Sequence, residues 1–473
     1  MFRYSPWVKR LVVALSLGLA CRHGATPPAG VTVDTPPAPR AESPRDAGAA
    51  DVPAPSTESR LSRLADELAE RMSGIRGLAV RRPIARGVMT RDAVVARIRE
   101  RTRQEYPPGE VELEGELLKR LGMIPEGMDY ERTIYELLEE QVLGFYDPDA
   151  RRLYIADWVP AAMQPVTMAH EITHALQDQH FDIGRYVHHR QGESDRQTAA
   201  MAVIEGDATA AMMDYTLAPM GQRVTAIPNV EGIIAAQLQS NDQARLAAAP
   251  RAMRESLLFP YIAGFGMCVR AMRDGGGYPA VDALLARPPD STEQVLHADK
   301  LAAREAPVVI DAAVPAPLAR DYRIAYQDVM GELGLRLHLQ TVLGDDAAAE
   351  AAAGWGGDRA MVLVPGRAPA VDGGAAVDRD ALGRDLSVWI VEMDRAAEGP
   401  ADAEATALAR AAGAVLNRRY VAAPQASVRG ASFARESAPG RVSLVAQRGR
   451  RVLLADRLPR DRAAAVVASV LRE

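Results

Sequence analysis

Apolar residues recur at three- and four-residue spacing from Ser59 onward, with Leu61, Leu64, Leu68 and Met72 on one face. The folded part of the chain therefore opens on a helix. Thr90 followed by Asp92 marks a second helix start that feeds Val94, Val95 and Ile98, and Ile134, Leu137, Leu138 and Val142 mark a third. The period then changes. Leu143-Gly144-Phe145-Tyr146, the turn Asp147-Pro148-Asp149 and Arg152-Leu153-Tyr154-Ile155 predict a β-hairpin over 143–155. Helical spacing returns over 164–180. A polar stretch follows, then a helix over 194–215 on which Ser194 and Gln197 fit a capping box. Further helices are expected over roughly 230–286 and 320–345.

Beyond Ala353 the character shifts again. Gly354-Trp355-Gly356-Gly357-Asp358 reads as a turn, and short apolar runs follow at 361–364 and 388–391. The runs 442–446 and 452–455, separated by Gln447-Arg448-Gly449-Arg450-Arg451, predict a second hairpin. The pattern gives an α+β chain, mainly helical, with one domain over 58–350 and a small C-terminal α/β domain over 351–473.

The first residues read as an export signal: Arg3, Lys9 and Arg10 precede a short apolar run, Leu11 to Ala20, too short to span a bilayer. Cys21 follows Leu17-Gly18-Leu19-Ala20, a segment similar to a bacterial lipoprotein cleavage site, with Gly18 where such sites usually carry Leu. Residues 1–21 are therefore expected to be removed up to a lipidated Cys21, leaving an exported protein anchored in the cell envelope. Residues 22–57, rich in Pro, Ala and Ser, read as a flexible linker. The other cysteine, Cys268, sits in an apolar segment and is expected to be a buried thiol. With 56 basic and 62 acidic residues, net charge -6, no basic excess suggests a nucleic-acid partner.

The chemistry concentrates in His170-Glu171-Ile172-Thr173-His174. On a helix, positions four apart share a face, so His170 and His174 bring two imidazoles to one point. Zinc accepts neutral imidazole nitrogens, and a catalytic zinc keeps one position open for water. Glu171, one residue past the first ligand, stands where it can take that water's proton.

The third ligand could be His180 or Glu205. His180 lies ten residues after His170, but Ala175-Leu176-Gln177-Asp178-Gln179 carries no glycine to break the helix. On an unbroken helix a residue ten places along lies about 15 Å away. Glu205 lies on the next long helix, beside Ala199, Ala200 and Ala202, which are small enough for close packing. The His-Glu-Ile-Thr-His-Ala-Leu-Gln-Asp-Gln run and the later Glu205-Gly206-Asp207-Ala208 segment resemble bacterial gluzincin-like zinc peptidases. The likeness extends over most of Ser59 to Asp358, including Ser291-Thr292-Glu293-Gln294 and the Trp355 turn.

The resemblance implies a zincin-like domain with its active-site helix beside a small β-sheet, and a His170, His174, Glu205 site for Zn2+. It implies hydrolysis of a protein or peptide substrate, which enzymes of this type bind as an added strand on a sheet edge. Many gluzincins carry Asp four places after the ligand Glu, where this chain has Thr209. Asp178 and Asp207 are the residues available to accept a ligand histidine's free N–H. His297 and Tyr261 are the candidates for stabilising the developing oxyanion. The different function class is a non-catalytic envelope lipoprotein that uses the same fold as an interaction module.

Overall fold

A computed structural model describes residues 57–141, 143–188, 190–240, 244–366, 383–397 and 399–472. The expected export signal, Cys21 and the linker up to residue 56 lie outside the described residues. The chain is α+β and mainly helical. It runs α1 Thr57–Arg76, β1 Ala85–Met89, α2 Arg91–Glu105, α3 Glu110–Arg120, α4 Tyr130–Gln141, β2 Gly144–Asp147, β3 Arg152–Ala156, α5 Gln164–Phe181, α6 Gly184–Val187 and α7 Ser194–Leu217. There follow α8 Val230–Ser240, α9 Ala244–Ala248, α10 Arg251–Gly275, α11 Tyr278–Ala286, α12 Thr292–Leu296 and α13 Ala298–Ala303. The remainder is β4 Tyr322–Asp328, α14 Gly331–Leu339, α15 Asp345–Ala352, β5 Trp355–Pro365, β6 Leu386–Met393, α16 Ala403–Arg419, β7 Phe433–Ala438, β8 Arg441–Arg448, β9 Arg451–Pro459 and α17 Ala463–Val470.

The expected hairpin is β2–β3, with Tyr146 opposite Leu153. Its turn forms because the Asp147 carboxylate accepts from the backbone N–H of Asp149 and of Ala150, at 3.1 and 3.0 Å. A third strand, β1, joins β3 in parallel. Its sequence, Ala-Arg-Gly-Val-Met, does not alternate, and as an edge strand it is half-buried to exposed.

The second sheet has six strands in the order β4-β5-β6-β9-β8-β7, every adjacent pair antiparallel. Side chains alternate between its faces. Trp355, Val362 and Trp389 join a core formed with α3, α14, α15 and α16, while Met361, Leu363 and Val388 meet α17 on the other face.

Three local expectations need correction. The stretch 320–345 is a strand followed by a helix, since Tyr322, Ile324 and Tyr326 alternate and pair with β5. That strand lies ahead of the expected boundary at 351. The 354–358 segment begins β5 with a bulge at Trp355/Gly357 instead of forming a free turn. No capping box starts α7. Asp328 of β4 accepts from the Ser194 N–H at 3.0 Å, and the Gln197 side chain donates to the His188 carbonyl.

A third, separate core lies under α5, α7 and α10. α7 is buried on nearly every side, which fits its apolar, small-residue composition. It crosses α10 at two glycines. A Cβ on Gly264 would collide with the Ala202 carbonyl, and one on Gly206 would collide with the Gly264 backbone. That close approach sets where Glu205 points.

Candidate metal centre

Helix α5 begins with Pro165 in its first turn and continues unbroken through Phe181. It presents His170 and His174 to α7, which supplies Glu205. His170 Nε2 lies 3.2 Å from Glu205 Oε2, His174 Nε2 lies 3.0 Å from His170 Nε2, and His174 Nε2 lies 3.5 Å from Glu205 Oε2. One ligand atom from each residue falls within 4.8 Å of the others, so the triad could hold a metal ion. It is the one such group among the described residues.

The donor chemistry fits a cation. Glu205 Oε1 and Glu171 Oε1 are buried without a hydrogen-bond partner, an arrangement that costs free energy unless something positive compensates it. Burial opposes every charge here, yet His174 and the hydrogen bonds from both histidines hold Glu205 as a carboxylate. Burial is the largest single effect on His174 too, but the charge and hydrogen bond of Glu205, with Glu171 and Gln177, together favour its protonated form. His170, where burial dominates, is pushed the other way.

Glu171 sits beside the triad, 1% exposed. Its Oε2 accepts from the Tyr146 backbone N–H at 2.8 Å, so the hairpin edge holds the carboxyl in place. That part of the β2 edge is therefore used by the protein itself instead of offering its N–H to an added strand. Burial is the main force raising the Glu171 pKa to about 8, with Glu205 adding to it and His174 opposing it. A cation at the triad would favour the carboxylate form.

The support behind the ligands differs from the expectation. Asp178 does not bond to His174; its Oδ2 accepts from the Tyr146 hydroxyl at 2.8 Å and from Arg82 at 2.6 Å. Instead the Oε1 of Gln177 lies 2.8 Å from His174 Nδ1. The Gln177 amide then donates to Asp207 Oδ2 at 2.8 Å and to the Ile204 carbonyl at 3.0 Å. Asp207 also accepts from Arg76 at the end of α1, at 2.6 Å, and Arg76 reaches Asp282 of α11 at 2.5 Å. Asp207 thus acts through Gln177. Arg76 is fully buried, and although burial works against its charge, the two carboxylates secure it.

The remaining predicted residues divide. Tyr261 of α10 stacks on His170 with ring centroids 6.3 Å apart, and burial, with the nearby Glu205 carboxylate, holds its hydroxyl protonated. His297 belongs to a different cluster, with Nε2 2.9 Å from Glu332, whose carboxylate also holds Arg336 at 2.6 Å. His180 bonds to the Ala79 carbonyl at 2.8 Å, as expected for a residue at the far end of an unbroken helix. The Thr209 hydroxyl is buried without a hydrogen bond. Cys268 is a buried free thiol near the Val203 carbonyl.

Gln177 could have been found in the sequence, because it shares a helical face with His174 at i, i+3. Arg76 and Tyr146 leave no local signal, since a buried arginine reads like a surface one in one dimension and the partner of a backbone N–H is not written in its residue. Comparison of the chain with known protein families, with curated proteins and with solved structures finds no match.

Proposed function

We propose that this chain is a zincin-like, gluzincin-type zinc peptidase that hydrolyses peptide bonds outside the cytoplasm. The observation that carries the reading is Glu171, an acid–base side chain next in sequence to a buried His170, His174, Glu205 triad and held by the Tyr146 N–H. Zinc bound there supplies Lewis acidity, lowering the pKa of a coordinated water and polarising a carbonyl. Glu171 accepts the proton from the attacking water and delivers it to the leaving amine. Its carboxyl is buried, which raises its pKa, while a cation at the triad would favour the carboxylate that accepts the proton. Tyr261 supports the ligand Glu205 and stands as the donor for the developing oxyanion. Gln177 holds His174 in the tautomer that leaves Nε2 free. The export signal and Cys21 support action at the cell envelope.

One observation favours a second reading. His170, Glu171, His174 and Glu205 are each no more than 1% exposed, so substrate entry requires the covering segments to part. A closed metal site suits a non-catalytic envelope lipoprotein that uses the same fold as an interaction module.

Zinc content of the purified chain, beside His174→Ala and Glu205→Ala, tests the site. About one zinc per chain in the parent and strong loss in both variants supports it. Glu171→Gln separates the readings. The enzyme keeps its zinc and loses hydrolysis by at least about 100-fold, whereas unchanged hydrolysis overturns the mechanism. A zinc-loaded parent that cleaves no peptide favours the interaction module.

A further inference from the structure

Apart from the metal centre, the chain encloses a cavity of about 140 Å³ on the seam between the core under α7 and α10 and the core on the six-stranded sheet. Its walls come from α3, α4, α7, α10, β4 and α14. They are mostly apolar, among them Leu117, Ile134, Met201, Met253 and Leu337. Protein interiors rarely leave voids this large. A cavity of similar size lined by aliphatic and aromatic groups is known to stay dry and to accept a benzene ring.

The three carboxyl groups at the wall are already engaged. Glu114 accepts from the Tyr130 hydroxyl at 2.9 Å, and Asp195 accepts from the Thr292 N–H at 3.1 Å. Asp328 accepts from the Ser194 N–H at 3.0 Å and the Tyr326 hydroxyl at 2.9 Å. An anionic guest would meet three carboxyl groups, and the mostly apolar wall would strip any charged guest of its hydration. The interior therefore selects an uncharged group. The four lining methionines, Met123, Met201, Met253 and Met330, can adjust to its shape.

Ser256, which is exposed, and Thr198, which is half-buried, also line the pocket; the Thr198 hydroxyl donates to the Ser194 carbonyl at 2.8 Å, and its oxygen can still accept from a peptide N–H. The pocket is also near the metal centre. Met201 lies one helical turn before Glu205 on α7, and Pro260 immediately precedes Tyr261 on α10.

We propose that this cavity is an anchoring pocket for one uncharged apolar side chain, of leucine to phenylalanine size, carried by a bound polypeptide. The proposal rests on the peptidase reading only for the identity of that polypeptide as a substrate. Filling the pocket clamps the peptide against α7 within a turn of the metal ligand, without any change at the metal.

N-acetyl-leucinamide, titrated into the full chain carrying methyl-labelled methionine, tests this by NMR. The Glu171→Gln chain serves, so that nothing is turned over, and the titration is run with and without zinc. The expected result is saturable shifts of the Met201 and Met253 methyls in both conditions, none with the anionic N-acetyl-aspartate amide, and binding about ten-fold weaker in Ser256→Trp. Ser256 is exposed, so the tryptophan narrows the mouth without disturbing a core. No saturable shift, equal shifts from the anionic probe, or unchanged binding in Ser256→Trp overturns the proposal. Because the readout needs neither metal nor turnover, its failure leaves the peptidase reading to be judged by zinc content and hydrolysis.

Discussion

The Nδ1 of His174 and the Oε1 of Gln177 lie 2.8 Å apart, and the Gln177 amide passes the contact on to Asp207. A glutamine can accept from the histidine with its carbonyl while donating to a carboxylate with its nitrogen. It thus joins the imidazole to a buried anion without a proton shared between them. Gln177→Ala is expected to keep the fold by circular dichroism and to weaken zinc binding by about 10–100-fold. Competition with a chelator measures it. Unchanged affinity would mean that the contact merely fills space.

Arg76 closes the same chain of contacts from α1. Its guanidinium lies between Asp207 and Asp282, and both it and Asp207 are fully buried. Replacing it with leucine leaves Asp207 without its countercharge in a dry interior. The expected loss is about 3–5 kcal/mol, read as a lower urea midpoint. Zinc affinity falls with it, because Asp207 then has no fixed position from which to hold Gln177.

Gly264 has to be glycine for α7 and α10 to meet. Gly264→Ala drives a methyl into the Ala202 carbonyl, which is backbone and cannot rotate away. We expect about 1–3 kcal/mol of destabilisation together with weaker zinc binding, since α7 carries Glu205. Full stability and full zinc affinity would show that the helices slide without cost.

Asp195 gives the chain a pH dependence of known sign. Burial, the largest cause, raises its pKa from 3.8 to about 8. The folded chain therefore keeps a proton that the unfolded chain releases. Stability falls as pH rises from about 4 to 8, by up to about 1.4 kcal/mol per unit. Asp195→Asn is expected to remove this part of the slope, so that its urea midpoint gains on the parent more at about pH 8 than at about pH 5. An equal difference at both values would show that Asp195 titrates normally.

The sequence by itself determined the elements whose signal is local. Repeated apolar spacing marks α1, α4, α5 and α7, and the Asp147 turn marks the β2–β3 hairpin. The four-residue interval puts His170 and His174 on one face. Small residues beside Glu205 foretold the close packing at α7, because a helix can approach only as near as its side chains permit.

Only the tertiary structure decided what depends on distant partners. Strand β1 exists because β3 offers it an edge, and β4, whose alternation of Tyr322, Ile324 and Tyr326 is short, is fixed as a strand by its pairing with β5. The start of α7 is capped by Asp328, 134 positions away, and not by its own neighbours. Asp178 and Gln177 are adjacent, yet a step of one residue turns the helix by about 100°, sending Asp178 to Tyr146 and Gln177 to His174. His297 lies with Glu332 because α12 packs against α14. Charge and hydrogen-bonding chemistry are written in each residue, but the partner that satisfies them is set by which helix crosses beside it.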